Sequence, residues 1–336
     1  MGYTVERLRL GDQPIVMLQD DAGRRVRVAC HGAALIGFEI PCGGRSFDMA
    51  AGHRDAAEIV ARPGSRFAIM APFAGRIADA RYRFDGHDYD LQPGAAPGQR
   101  ESRHGFVRDA DFAVAELVAN TGSARATLST SIRGQPGYPF AIDLAVTFTL
   151  DAAGLVLEAR MRNSGDRPAP CFFGWHAYFR ASDGSADEWL LEVPARTLIR
   201  TGTDLIALAG NAAYVTLGAE PALDFRRPRL IGGSILDQEY TDLIAQADGR
   251  ICTRLTDPKT RFGITVWQER GVMHVFTGDT LKRDARRSVA LEPMECMADA
   301  FNRPEWANAL RLDAGAERVF RCGVQPASEL ASSKSK

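Results

Sequence analysis

The sequence predicts an all-β protein, a large antiparallel twisted β-sandwich, on three observations. Apolar residues alternate with period two, Asp-Gly and similar turns join the alternating runs, and helical periodicity is rare.

The alternation is clearest in Ile142, Leu144, Val146, Phe148 and Leu150, with Asp143, Thr147 and Thr149 among the residues between them. Successive side chains of a strand point to opposite faces, so such a run buries one face and solvates the other. The turn DAAG then leads into Leu155, Leu157, Ala159 and Met161, opposed by Glu158, Arg160 and Arg162, which predicts a β-hairpin. A second hairpin is predicted from RYRF, Asp85-Gly86 and HDYDL, because Asp-Gly supplies the positive φ angles of a tight primed turn. Further hairpins are expected around Asn120 to Ser123 and around Asp313 to Glu317. The best helical candidate is DMAAGHRDAAEIVARPG, which stops where Pro63 and Gly64 would break a helix.

Strand signals recur from about residue 14 to 324 with no linker or composition shift, so the 336 residues are read as one β-sandwich domain over 1–326. Strands this numerous must stack or close to hide their edges and apolar faces. Residues 327–336, ending in ASSKSK, have little to bury and are expected to form a disordered tail.

Hydrophobic residues make up 45% and charged residues 25%, the balance of an ordinary globular protein with a sizeable core. The 41 basic and 42 acidic residues are spread along the chain, which removes the electrostatic footprint of a nucleic-acid partner. The local run Arg24, Arg25, Arg27 is read as a solvated strand face. The first residues lack the continuous apolar core of a secretory signal, and no stretch of about 18 apolar residues could span a bilayer. A cytoplasmic protein with no membrane partner is expected, as monomer or homodimer.

Six cysteines, at 30, 42, 171, 252, 296 and 322, form no CxxC pair and no short Cys/His cluster, so no metal is expected and the thiols are read as reduced and mostly buried. Cys171 and Cys296 lie near the polar segments described next. A nucleophilic thiol is weighed against a small core hydrophobe there, and the core reading is favoured.

Three segments are odd for an all-β chain because each sets an ionisable residue among apolar, aromatic or glycine neighbours: RHGF at 103–106, FFGWHAYF at 172–179, and VALEPMECMADAFN at 289–302. The apolar run around His176 is long enough to be a buried strand, with Gly174, His176 and Tyr178 on one face and Trp175 on the other. Glu292 precedes Pro293 after Val289, Ala290 and Leu291, which places it at a strand end opening onto a pocket. Singly, each has a bland explanation: a hydrogen-bonded core histidine, or a surface glutamate. The set of three changes that balance.

In these segments the chain resembles the aldose 1-epimerases, or galactose mutarotases, over nearly its whole length. The family's Asn-Arg-Ile and following hairpin are matched by GRIADARYRFDGHDYDL, with Arg76 in the arginine position, and its His-Gly segment by His104 and Gly105. Its second histidine motif is matched by GWHAYF, its glutamate motif by EPMECMADAFN, and its aspartate by Asp237 in ILDQEY. Gly75 stands where commoner members carry asparagine, and Trp175 and Ala177 replace the usual polar neighbours of the second histidine, as in a divergent bacterial branch. The sugar's identity is left open by these departures. The resemblance implies the family's galactose mutarotase-like supersandwich, with Glu292 as base and His176 as acid, exchanging roles when a sugar ring opens and closes. It also implies that His104 hydrogen-bonds near the ring oxygen, that Arg76 and Asp237 hold hydroxyl groups, and that Phe106 or Tyr178 packs on the sugar's apolar side.

A buried carboxylate has its proton affinity raised toward neutrality and histidine titrates near it, so both groups suit the task. No cofactor is expected, since only protons move. His31, His53, His87 and His274 are assigned to structure or surface. An iron site at His53-Arg54-Asp55 is set aside because the segment reads as helix rather than strand. Three functions stay open: a mutarotase of a free aldose, an epimerase of hexose 6-phosphates using Arg76, Arg103 and Arg108, and a non-catalytic sugar-binding protein.

Overall fold

A computed structural model of the protein describes residues 2–42, 44–96 and 98–327. Three large antiparallel sheets organise it. A five-stranded meander runs in chain order through Tyr3–Leu10, Gln13–Asp20, Arg25–Ala29, Leu35–Cys42 and Arg45–Asp48. A nine-stranded sheet is built on Ala113–Ala119, Ser123–Ile132, Ile142–Asp151 and Leu155–Asn163, and the strand Glu317–Ala327 then joins them to Gly263–Gln268. An eight-stranded sheet carries, side by side, Ala195–Ile199, Asp237–Leu243, Val272–Phe276, Val289–Met294 and Gly174–Trp175. The last two sheets face one another where Gly263–Gln268 packs near Val289–Met294, giving the twisted sandwich that the alternation predicts.

Local sequence accounts for the hairpins. Ile142–Asp151 alternates buried and half-buried at every position. At its end the Asp151 carboxylate accepts from the backbone N–H groups of Ala153 and Gly154, and Gly154 turns the chain into Leu155–Asn163. Asp85 and Gly86 take φ of 47° and 80°, the two positive angles a primed turn demands. Asn120 caps its own turn, accepting from Gly122 and Ser123.

Two expectations need correction. The turn at Asp313 to Glu317 exists, but it is no hairpin: Arg311–Leu312 pairs with Ala169–Pro170, whereas Glu317–Ala327 pairs with Leu155–Asn163. The helix is confined to Ala56–Ala61, with Asp55 as its cap accepting from Glu58 N–H, and it ends before Pro63 as expected. Upstream, the Asp48 carboxylate accepts from Phe38 N–H and Ala50 N–H, which ties residues 48–50 to the sheet and outweighs their helical pattern. The tail expected over 327–336 falls outside the described residues except for Ala327, the last residue of a strand.

All six cysteines are free and five are buried. Arg25 and Arg27 form more than a solvated face, since both reach Glu39 on the neighbouring strand. Among the described residues no helix is long and apolar enough to cross a membrane.

Candidate active site

Three neighbouring strands build the floor of one cavity. Asp237–Leu243 pairs with Val272–Phe276, which pairs with Val289–Met294, and the registers set Glu239 opposite His274 and His274 opposite Glu292. The two-residue period brings Asp237, Phe276 and Met294 to the same face, and all six line the cavity. Glu292 opens onto the cavity as expected, but from inside a strand whose every residue is buried and not from a strand end.

His176 comes from the next strand position. The chain leaves Gly174–Trp175 and re-enters the sheet at Tyr178–Phe179, pairing there with Ala290 and Val289. Between these pieces His176 N–H donates to Ala68 and its carbonyl accepts from Phe67 N–H, so its backbone is held from both sides. Its ring stacks on Tyr178, with centroids 5.0 Å apart and planes 11° apart. Trp175 points away and packs on Phe67 and Phe179, as the alternation predicts.

The opposite wall is a loop fold-back. Arg76–Ile77 pairs with Ser102–Arg103, and His104 N–H donates to the Gly75 carbonyl. Gly75 and Gly105 both take positive φ, 65° each. A Cβ on Gly105 would lie 2.0 Å from the Ala71 carbonyl oxygen, and one on Gly75 would lie 2.5 Å from Ala298 Cβ. The His104-Gly105 pair is thus a steric requirement, because only glycine lets the histidine loop close on Ala71. Gly105→Ala is expected to cost about 3 kcal/mol or more, combining φ strain with backbone overlap. Chemical denaturation would measure it, and an unchanged midpoint would refute this account of the loop.

All five site residues named from sequence, Arg76, His104, His176, Asp237 and Glu292, line this cavity of about 820 Å³. His176 Nδ1 lies 3.3 Å from Glu292 Oε1, in ion-pair range but out of line for a hydrogen bond, so Nδ1 has no hydrogen-bond partner among the described residues. The His104 ring sits 5.1 Å from that of His176, and its Nδ1 is likewise buried and unpartnered. Arg76 pairs with Glu101 at 2.7 Å, and Asp237 Oδ1 is 2.9 Å from His274 Nε2.

Charge is distributed unevenly here. Burial pushes the Glu292 carboxyl up to about 8, with Asp237 and Glu239 acting the same way and His274 against it. Burial pushes His176 down to about 3, and the charge of His274 adds to that. His104 is held well below its ordinary range by burial, with His176 and three arginines adding to it. His274 goes the other way: burial opposes its charge, but Glu292, the hydrogen bond with Asp237 and the nearby Glu239 together raise it to about 9.

Several assignments change. His274 is no structural or surface residue; it sits in the cavity floor beside Asp237, and Glu239 accompanies it. The available signal was Asp237-Gln238-Glu239, two acids on one strand face. Of the two aromatic candidates, Tyr178 lines the cavity, together with Phe276, while Phe106 packs on Phe73 and Tyr138. Cys171 and Cys296 do not line it, and burial pushes both thiols up, Cys171 to about 12, which suits core residues and not nucleophiles. His31 bonds Asp111 and Arg62, His53 is buried, and His87 is exposed on its hairpin. No group of three or more metal-binding side chains occurs among the described residues.

Fold and cavity together define an all-β sandwich with a cleft lined by carboxylates and imidazoles. The sequence model described as aldose 1-epimerase matches residues 14–325, and the chain belongs to that family of isomerases acting on carbohydrates. An uncharacterized Escherichia coli protein, YihR, is 28% identical over 237 residues, 70% of this chain and 71% of that one. The galactose mutarotase of Pongo abelii is 28% identical over 241 residues, 70% of this chain and 65% of that one. The solved structure of a GalM/aldose epimerase homologue from C. elegans superposes with a TM-score of 0.81 at 17% identity, covering 95% of this chain and 100% of that one, a likeness of fold alone.

Proposed function

We propose that the protein interconverts the α and β anomers of an aldose, with Glu292 and His176 as the proton-transfer pair. One observation carries the reading: two buried groups of opposed proton affinity face each other at 3.3 Å in one cavity. Ring opening needs a base at the C1 hydroxyl and an acid at the ring oxygen, and closure on the other face needs the same groups reversed. Glu292 accepts the hydroxyl proton while His176 donates to the ring oxygen. The O1–H bond and the C1–O bond to the ring oxygen break, an aldehyde forms, rotation about C1–C2 exposes the other face, and both protons return on closure. The buried, unpartnered ring nitrogens of His104 and His176 suit a polyhydroxylated ligand, since such atoms seek hydrogen-bond partners. Arg76 and Asp237 supply donor and acceptor for hydroxyls, and Tyr178 or Phe276 an apolar face.

The pair must carry one proton in all. In the sugar-free cavity that proton rests on Glu292, and hydrogen bonds from sugar hydroxyls favour the carboxylate and move it toward His176. The second proton arrives only near His176's value of about 3, and the last leaves near Glu292's value of about 8. kcat/KM is therefore expected to fall as pH rises through about 8, by about tenfold per unit, and to have no acid limb from this pair above about 3. Magnetisation-transfer NMR of anomer exchange across pH would measure it. A limb falling toward acid near 6 to 7, the ordinary range of histidine, would contradict the pairing.

A phosphorylated substrate is favoured by a second observation. Arg62, Arg76, Arg103 and Arg108 line the cavity, yet among the described residues the only carboxylates they pair with are Glu101 and Asp109. Guanidinium groups in excess of carboxylates suit a phosphate oxyanion. An exchange screen over free hexoses, pentoses, deoxysugars and hexose 6-phosphates decides between these substrates. Binding without accelerated exchange for every sugar would establish a binding protein instead.

A further inference from the structure

His274 stands in the middle of a row of acids. Glu239, His274 and Glu292 are successive register partners on three adjacent strands, so one sheet face presents carboxylate, imidazole and carboxylate in line. Asp237, two residues from Glu239 on the same face, brings a third carboxylate to the same ring. Its oxygen lies 2.9 Å from Nε2, and a Glu239 oxygen lies 3.8 Å from Nδ1. A neutral imidazole carries one N–H and one lone pair, so one of these carboxylates would face a lone pair; only the doubly protonated ring meets both with a donor. Three carboxylates this close, two of them buried, would repel without a cation between them, and one would hold a proton.

We propose that His274 is a positioning residue of the ring-opening site: as an imidazolium it fixes Asp237 toward the cavity and holds down the proton affinity of Glu292, so that its proton can pass to His176 once a sugar is bound. This rests on the acid–base reading of Glu292 above. The other titratable groups facing the cluster are His176 and Tyr178 from the neighbouring strand pieces, His104 from the opposite wall, and the buried Arg303, which acts on Glu239. At the mouth, Arg76 acts on Asp237, while Arg103 acts on His176 and His104. None of these arginines counts among the main influences on Glu292, whose chief cationic neighbour is His274.

The sign of the effect is definite. A cation beside Glu292 favours its charged form, so removing that cation makes Glu292 hold its proton to higher pH. His274→Gln keeps an amide that can donate to Asp237 and removes the charge together with the donor toward Glu239. Its exchange rate at neutral pH is expected to fall at least about tenfold, while the alkaline limb moves up by at least about one pH unit. Carbon NMR of the Glu292 carboxyl in the sugar-free variant should show the same upward displacement. A lowered rate with limb and Glu292 midpoint unmoved would mean that His274 is merely structural, and an unchanged rate would overturn the proposal outright. Lack of exchange by the unmodified protein would sink the acid–base reading instead, and the Glu292 midpoint in the sugar-free protein would still judge His274 by itself.

Discussion

Glu292→Gln is expected to slow anomer exchange by about 10²- to 10⁴-fold while sugar affinity changes by no more than a few-fold. The amide preserves the volume of the side chain and one acceptor oxygen, but it cannot take a proton from the C1 hydroxyl. Nor should the fold suffer. Below about 8 the sugar-free protein already carries Glu292 protonated, so glutamine replaces a neutral group of the same shape. Because the folded value lies above that of the unfolded chain, Glu292 contributes fully to stability below the unfolded value, and this contribution is lost as pH rises through about 8. The variant should therefore melt no lower than the parent at neutral pH and should lose less stability at alkaline pH. Polarimetry for exchange, calorimetry for binding and thermal melts across pH measure the three parts. Near-normal exchange would remove Glu292 from the mechanism, while lost binding together with a lower melt would make it a structural residue.

His176→Gln is the second large effect, again about 10²- to 10⁴-fold in rate, since the ring oxygen loses its proton donor. More informative is the double variant. If Glu292 and His176 share one proton and exchange roles within each turnover, either loss disables the same step. Combining them should then cost little more than the worse single change, as for groups that act as a unit. Multiplying losses in the double variant would instead indicate two independent contributions. His176 is enclosed between Tyr178 and His104, so its removal also disturbs packing. The binding of a sugar that the variant no longer converts separates lost chemistry from a collapsed cavity.

Much of this molecule was legible in its sequence. Ile142–Asp151 and its partner strand were readable because the side-chain period is a property of backbone geometry and needs no knowledge of neighbours. The Asp85-Gly86 turn was readable for a similar reason, since its φ angles are demanded locally. Local pattern failed at residues 48–50, where a half-buried carboxylate ties the chain to a sheet, and at Asp313, where a good turn joins strands that pair elsewhere.

The site divides in the same way. His104, His176 and Glu292 stood out in segments odd in their own few residues, whereas Arg76 and Asp237 were found only through the family resemblance. His274 has no such mark: in VMHVF it is an ordinary polar residue on a strand, and its meaning comes from the acids on either side. Those acids arrive from separate stretches of chain, and which residue meets which is set by register between strands whose pairing depends on the packing of the whole sheet. The sequence by itself determined an all-β chain, the faces of its strands and the ionisable residue types that line its cavity. Only the tertiary structure decided which charges share one buried cavity, and with that the proton affinities of His176, His274 and Glu292, because burial and neighbouring charge set those affinities and neither belongs to any single segment.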